Sequence, residues 1–180
     1  CRHTHAAIDG ALGVLRTYHP DPEEVEKIEV RMYGQGVKGH DYTDIPAPNA
    51  GKMSTPFCIG LALQYGSAGI TAFTEENVQN ETIMRLCRAT TVEADPEMTA
   101  MVPKKRPAHV SVIMKDGTVY EKQVDYALGE PENPMSMEAF MEKFMDLSAY
   151  GGKSERAAGK IADAILHHEG TVRELTELLQ

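Results

Sequence analysis

The sequence predicts an α+β fold: a small antiparallel sheet with its helices, followed by C-terminal helices of a different character. Three observations carry that reading. Apolar residues recur at helical spacing in the opening segment and again toward the end of the chain. Between these regions, short stretches alternate apolar and polar residues with the period of a strand. Composition then changes after Asp125, where Leu128-Gly-Glu-Pro-Glu-Asn-Pro134 forms a turn-rich link. The division expected is an α+β unit over 1–128 and helices over 135–180.

The first helix is expected from about Thr4 to Tyr18, with Ile8, Ala11, Leu12 and Leu15 on its apolar stripe and Pro20 and Pro22 ending it. Lys27-Ile-Glu-Val-Arg-Met-Tyr33 alternates Ile28, Val30 and Met32 with charged residues, which marks a half-buried strand. Gly34 to Gly51, rich in Gly, Pro, Asp and Asn, reads as a long loop of the kind that is commonly functional. A second helix follows, with Ser54 or Thr55 as N-cap and Pro56 in its first turn. Because it is apolar on nearly every face to Tyr65, deep burial is expected. Asn80 caps a third helix through Ile83, Met84 and Cys87, and Thr90–Ala94 follows as a short strand. His109–Met114 and Thr118–Val124 form a hairpin around Asp116-Gly117, a dipeptide suited to positive φ.

The C-terminal stripes are Met137, Phe140, Met141 and Phe144, then Ala158, Ile161, Ala162 and Ile165. Thr171 with Glu174 makes a capping box for a last helix carrying Leu175, Leu178 and Leu179. The methionines Met135, Met137, Met141 and Met145 read as core filler.

Composition narrows the function. The 180 residues carry a formal net charge of −9, which argues against general nucleic-acid binding while leaving room for a local basic pocket. Cys1, Cys58 and Cys87 are odd in number and widely spaced, as expected of reduced thiols rather than a disulfide framework. Phe57–Leu63, the most apolar run, is too short to span a membrane, so a cytoplasmic protein is expected.

Gly34-Gln-Gly-Val-Lys-Gly39 spells G-x-G-x-x-G after a strand. The residues that follow, His40-Asp-Tyr-Thr-Asp-Ile-Pro46, cannot start the helix that a pyrophosphate requires, so a dinucleotide site is rejected. His3 and His5 lie two apart and would share a face in an extended segment, where Cys1 could join them around a metal. No fourth ligand stands nearby, and acid–base work or anion binding at a helix start is the alternative. Simple capping or packing is as probable for either histidine taken alone. Lys52-Met-Ser54, just before the buried helix, suits a carboxylate ligand. Lys104-Lys-Arg106 reads as a solvated loop, and His167-His168 as an exposed pair at a helix end.

Four segments in register resemble the MmgE/PrpD family of 2-methylcitrate dehydratase, cis-aconitate decarboxylase and iminodisuccinate epimerase. They are Cys1-Arg-His-Thr-His-Ala-Ala-Ile-Asp9; Lys52–Leu63 with Gly66; Arg106–Val112 with Asp116-Gly117; and Gly129–Ser136 with Lys143-Phe144. The resemblance implies a two-domain enzyme with its active site between a large helical domain and a smaller α+β lid. This chain would hold the lid and the C-terminal helices, and an N-terminal helical domain or subunit would complete it. An oligomer, homomeric or heteromeric, is expected. Family members act on small polycarboxylates without metal or cofactor, removing a proton α to a carboxylate or losing CO2.

The same resemblance implies site residues. His3 falls where the dehydratase has a histidine and His5 where the decarboxylase has one, which makes them the expected catalytic pair. Lys52 falls where relatives carry a basic residue; with Ser54 and Cys1 it is expected to bind substrate. Two positions depart from the decarboxylase: Cys1 stands for an active-site histidine and Phe57 for a tyrosine. Dehydration of a 2-methylcitrate-like substrate is therefore the first reading. Epimerisation of an imino-dicarboxylate or decarboxylation of a cis-aconitate-like acid is the alternative. A non-catalytic subunit that kept the lid fold is the reading from another class.

Overall fold

A 3-10 turn, Arg2–Thr4, leads without a break into helix α1, His5–Tyr18. Its most buried face is built from Ala6, Ala7, Gly10, Ala11 and Val14, with Ile8, Leu12 and Leu15 flanking the core beside them. Small residues on that face let the helix lie close to the sheet. A Cβ on Gly10 would come within 2.6 Å of a Val110 methyl. The helix ends at His19, whose left-handed backbone (φ 49°) lets its N–H bond the Leu15 carbonyl at 2.9 Å.

The computed structural model describes residues 1–167 and 171–179, in two compact units, Cys1–Pro134 and Met135–Gln180. In the first unit, strand β1, Val25–Met32, buries Val25, Ile28, Val30 and Met32 and exposes the charged residues between them. Two single-turn helices follow, α2, Gly34–Val37, and α3, Pro48–Gly51, before α4, Thr55–Tyr65. Every residue of α4 from Thr55 to Leu63 is buried, as expected of a helix that is apolar all round. Helices α5, Glu75–Gln79, and α6, Glu81–Arg88, complete the crossover to strand β2, Thr90–Ala94. A Cβ on Gly60 would sit 2.8 Å from the Ile83 carbonyl, so glycine there lets α4 and α6 pack together. Helix α7, Pro96–Ala100, leads to the hairpin of β3, Ala108–Met114, and β4, Val119–Val124.

The sheet order is β2-β1-β3-β4. The expected antiparallel sheet is in fact mixed: β1 pairs antiparallel with β3, and β3 with β4, but β1 and β2 run parallel. The reason is the long helical crossover, which returns the chain to the sheet in its original direction. Helix α1 lies over β3 and β4 and against α4.

The second unit holds α8, Met137–Tyr150, α9, Glu155–His167, and α10, Val172–Leu179, with α9 packed against both others. Only α9 buries residues fully (Ala158, Ile161 and Ala162). Of the methionines expected as core filler, Met135, Met141 and Met145 are half-buried, whereas Met137 is 57% exposed and Phe140 53% exposed. Three short helices enclose too little volume to cover α8. The capping box forms as expected, with Thr171 Oγ1 accepting from the Glu174 N–H and Glu174 Oε2 accepting from the Thr171 N–H.

Candidate functional site

The helical path of the opening segment decides where its histidines go. Two residues of helix rotate by roughly 200°, so His3 and His5 point to different sides rather than sharing a face. His3 turns toward Tyr33 and His40. His5 turns toward a cavity of about 220 Å³ that Cys1 and Lys52 also line.

Nδ1 of His3 shares a 2.6 Å hydrogen bond with the Tyr33 hydroxyl, and the His3 ring centre lies 5.2 Å from that of His40. Burial lowers the His3 pKa below its usual 6.5, and the nearby charges of His40, Arg106 and Arg2 lower it further. The imidazole is therefore neutral at pH 7. Tyr33 is almost wholly buried, and burial raises its pKa against the opposing pull of Arg106 and Arg2. The pair is thus a neutral imidazole on a protonated phenol, joined by a short bond in which the imidazole tautomer decides which partner donates.

Tyr33 reaches this place because the glycine motif lets it. A Cβ on Gly36 would lie 2.9 Å from the Tyr33 ring and 2.6 Å from the end of Met32. The motif's second glycine serves packing, and α2 closes after four residues, so no long helix follows for a pyrophosphate to cap.

His40 is buried, with Nδ1 2.8 Å from the Met53 carbonyl. A carbonyl only accepts, so Nδ1 carries a hydrogen and donates it. The His40 carbonyl accepts from the Thr55 N–H at 2.8 Å, and the Cys1 thiol lies 3.8 Å from each ring nitrogen. His40 thus ties the opening segment to the start of α4.

Lys52 and the opening segment converge: the Cys1 backbone nitrogen is 3.5 Å from the Lys52 carbonyl. The Lys52 ammonium donates to Asn49 Oδ1 at 3.1 Å, a neutral partner that leaves its charge available. Ser54, expected at the substrate, is elsewhere. It is fully buried, its hydroxyl donates to the Tyr42 carbonyl at 2.6 Å and accepts from the Phe57 N–H at 3.2 Å, and it caps α4. Ser54→Ala is expected to cost about 1–2 kcal/mol of stability by denaturant unfolding, without a matching change in KM.

Three residues of this cluster were not evident from the sequence: Tyr33, His40 and Arg106. Arg106, placed in a solvated loop by its neighbours Lys104 and Lys105, is half-buried and acts on both His3 and Tyr33. The signal that finds it is strand register. Met32 pairs with Ala108, so the chain just before β3 comes to the end of β1 where Tyr33 emerges. Arg2 pairs with Glu130.

All three cysteines are free, and burial pushes the Cys58 and Cys87 thiols up to about 12. Among the described residues no group of three or more His, Cys, Asp or Glu side chains is placed to hold a metal, and no helix is long and apolar enough to cross a membrane. A hollow of about 390 Å³ in the second unit is lined by Lys160, Asp163 and His167; the His167–Asp163 pair there, at 2.8 Å, is exposed. His168 lies outside the described residues.

The opening segment of the α+β unit thus carries a histidine bonded to a buried tyrosine on one side and, on another, lines a cavity with Lys52. Over residues 1–168 the chain matches the model of the MmgE/PrpD C-terminal domain, and it belongs to the MmgE/PrpD family. That family is generally enzymatic, of dehydratase and lyase type. Among curated proteins no significant match is found.

Proposed function

We propose that this chain carries acid–base and carboxylate-binding groups of a lyase that dehydrates a 2-methylcitrate-like polycarboxylate. The observation that carries the reading is the 2.6 Å bond between His3 and Tyr33, formed near the charges of Arg106 and Arg2, on the same opening segment whose Cys1 and His5 line a cavity with Lys52. With Nδ1–H of His3 donating to the phenol oxygen, Nε2 is a free base and the Tyr33 O–H can donate to substrate. Nε2 takes the proton α to a carboxylate. The carbon–oxygen bond β to it breaks, and the departing hydroxide leaves as water with the Tyr33 proton. The imidazolium then returns its Nδ1 proton to the phenolate along the same short bond. Arg106 and Arg2 oppose the negative charge that builds as the α carbon is deprotonated, and Lys52 and His5 hold a carboxylate. A helical domain, in the same polypeptide or a separate subunit, contributes the remaining groups.

The test is the full-length protein with 2-methylcitrate and citrate, followed by ultraviolet absorbance of the conjugated product and by proton exchange in D2O. Elimination supports the reading. Exchange or loss of chirality without elimination moves the assignment to an epimerase, and neither reaction with any polycarboxylate supports a non-catalytic role.

A further inference from the structure

The link that follows β4, residues 125–133, is fastened to the rest of the first unit at three places. Asp125 Oδ2 accepts from the Lys105 ammonium at 2.7 Å, and that ammonium lies 5.1 Å from the centre of the Tyr126 ring. The Leu128 N–H donates to Asp9 Oδ2, on α1, at 2.6 Å. The Glu130 carboxylate pairs with the Arg2 guanidinium. Two of these anchors reach the segments that carry the arginines of the site. Lys105 is the chain neighbour of Arg106, and Arg2 is held directly.

The link can hold a side chain in place because it is closed on itself. Ala127 is buried in the core beneath the sheet. Gly129, in the left-handed region (φ 93°), lets its N–H reach the Asn133 carbonyl at 2.8 Å. The Glu130 N–H donates to the Ala127 carbonyl at 3.1 Å, and the Glu130 carbonyl accepts from the Asn133 N–H at 2.9 Å. The Asn133 side-chain amide donates to the Tyr126 carbonyl at 2.9 Å. On this braced turn the Glu130 side chain is 16% exposed, whereas that of Arg2 is 42% exposed. A carboxylate so far from water needs its cation. An arginine half in water and without a partner would spread over many rotamers. The braced carboxylate thus decides where the guanidinium lies.

We propose that Glu130 is a positioning residue, whose carboxylate holds the Arg2 guanidinium within reach of the His3–Tyr33 pair. The proposal rests on reading that pair as an acid–base unit, but the place of the charge can be measured without turnover. His3 is faced by the Tyr33 phenol, the His40 ring, Arg106, Arg2 and the amino group of Cys1. The charges among them are all positive, and each lowers the His3 pKa. Letting Arg2 swing away would therefore raise that pKa. Removing the Glu130 charge while Arg2 stayed in place would lower it. The opposite signs separate positioning from simple neutralisation.

The experiment follows the imidazole resonances of the full-length protein, carrying isotope-labelled histidine, against pH; the His3 signal is the one that His3→Gln lacks. Arg2→Met and Glu130→Gln are each expected to raise the His3 pKa. With a polycarboxylate substrate each is expected to lower kcat about tenfold, less than loss of a direct hydrogen-bond donor costs. The double variant is expected to match either single one, since both lose the same placed charge. Glu130→Asp, which keeps the charge but shortens the arm by one methylene, is expected to raise the pKa by less. It decides the question if Glu130→Gln does not fold. An unchanged or lowered His3 pKa in the Glu130 variants, or a fully additive double variant, would overturn the positioning role. A pKa that rises as expected, in a protein that turns over no polycarboxylate, would keep that role and sink the lyase reading. Turnover with a His3 pKa indifferent to Glu130 would do the reverse.

Discussion

Replacing His3 by glutamine in the full-length protein is expected to lower kcat about 10²–10⁴-fold, with KM changed only severalfold. Glutamine keeps the length and one hydrogen-bonding end but cannot take a proton. Tyr33→Phe, which removes only the hydroxyl, is expected to lower kcat by a comparable factor, because the two groups form one acid–base unit joined at 2.6 Å. The pH profile separates chemistry from structure. A base must be neutral to act, and the His3 pKa lies below 6.5 through burial and the charges of His40, Arg106 and Arg2. The acid limb of kcat/KM is therefore expected below pH 6.5, with activity lost as pH falls through it. Arg106→Met removes a charge that lowers this pKa, so its limb should move to higher pH. A purely structural role for His3 would leave the limb where it was. Unimpaired kcat in His3→Gln would exclude His3 as the base.

Much of the fold could be read from local pattern because local physics dictates it. The run Phe57–Leu63 has no polar face to turn to water, and it is buried along its whole length. Asp116-Gly117 permits a tight turn, and Gly117 takes φ 85° there. What could not be read is pairing between distant segments. Nothing in Thr90–Ala94 distinguishes a strand parallel to Val25–Met32 from an antiparallel one, since the alternation is the same in both. The first strand also starts earlier than its clean alternation suggests, because a register shift between Val25 and Lys27 breaks the period.

The site divides along the same line. His3 and Lys52 were visible as unusual residue types beside helix starts. Their surroundings were not. Tyr33 follows β1, His40 lies in what reads as a glycine-rich loop, and Arg106 sits among lysines. The β1–β3 register and the two bonds of His40 to Met53 and Thr55, contacts between segments distant in the chain, bring them together. Ser54 shows the converse error. A serine before a buried helix serves as cap or as ligand contact, and a hydroxyl already holding two partners 0% exposed is committed to the cap.

Phe57→Ala is expected to be the most damaging single truncation in the first unit, at about 3–5 kcal/mol by denaturant unfolding. The Phe57 side chain is fully buried and centres a cluster with Ile45, Leu61, Ile83 and Cys87, apart from the core beneath the sheet. Its ring lies so close to Gly51 that a Cβ there would come within 2.6 Å, and Phe73 packs on its other side. The loop that ends in Lys52 and the wall of the cavity both rest on this one ring. Removing it leaves a void that the buried backbone of α4 cannot close by moving, because Gly60 already holds that helix against α6. The loss should therefore fall on binding as well as stability: KM is expected to rise while the His3–Tyr33 pair, packed on Gly36 instead, keeps its pH limb. Phe57→Leu, which keeps much of the apolar volume, is expected to cost less in both measurements. A Phe57→Ala protein that loses under about 1 kcal/mol would mean that the loop and α4 relax into the void. The cavity wall would then not depend on Phe57.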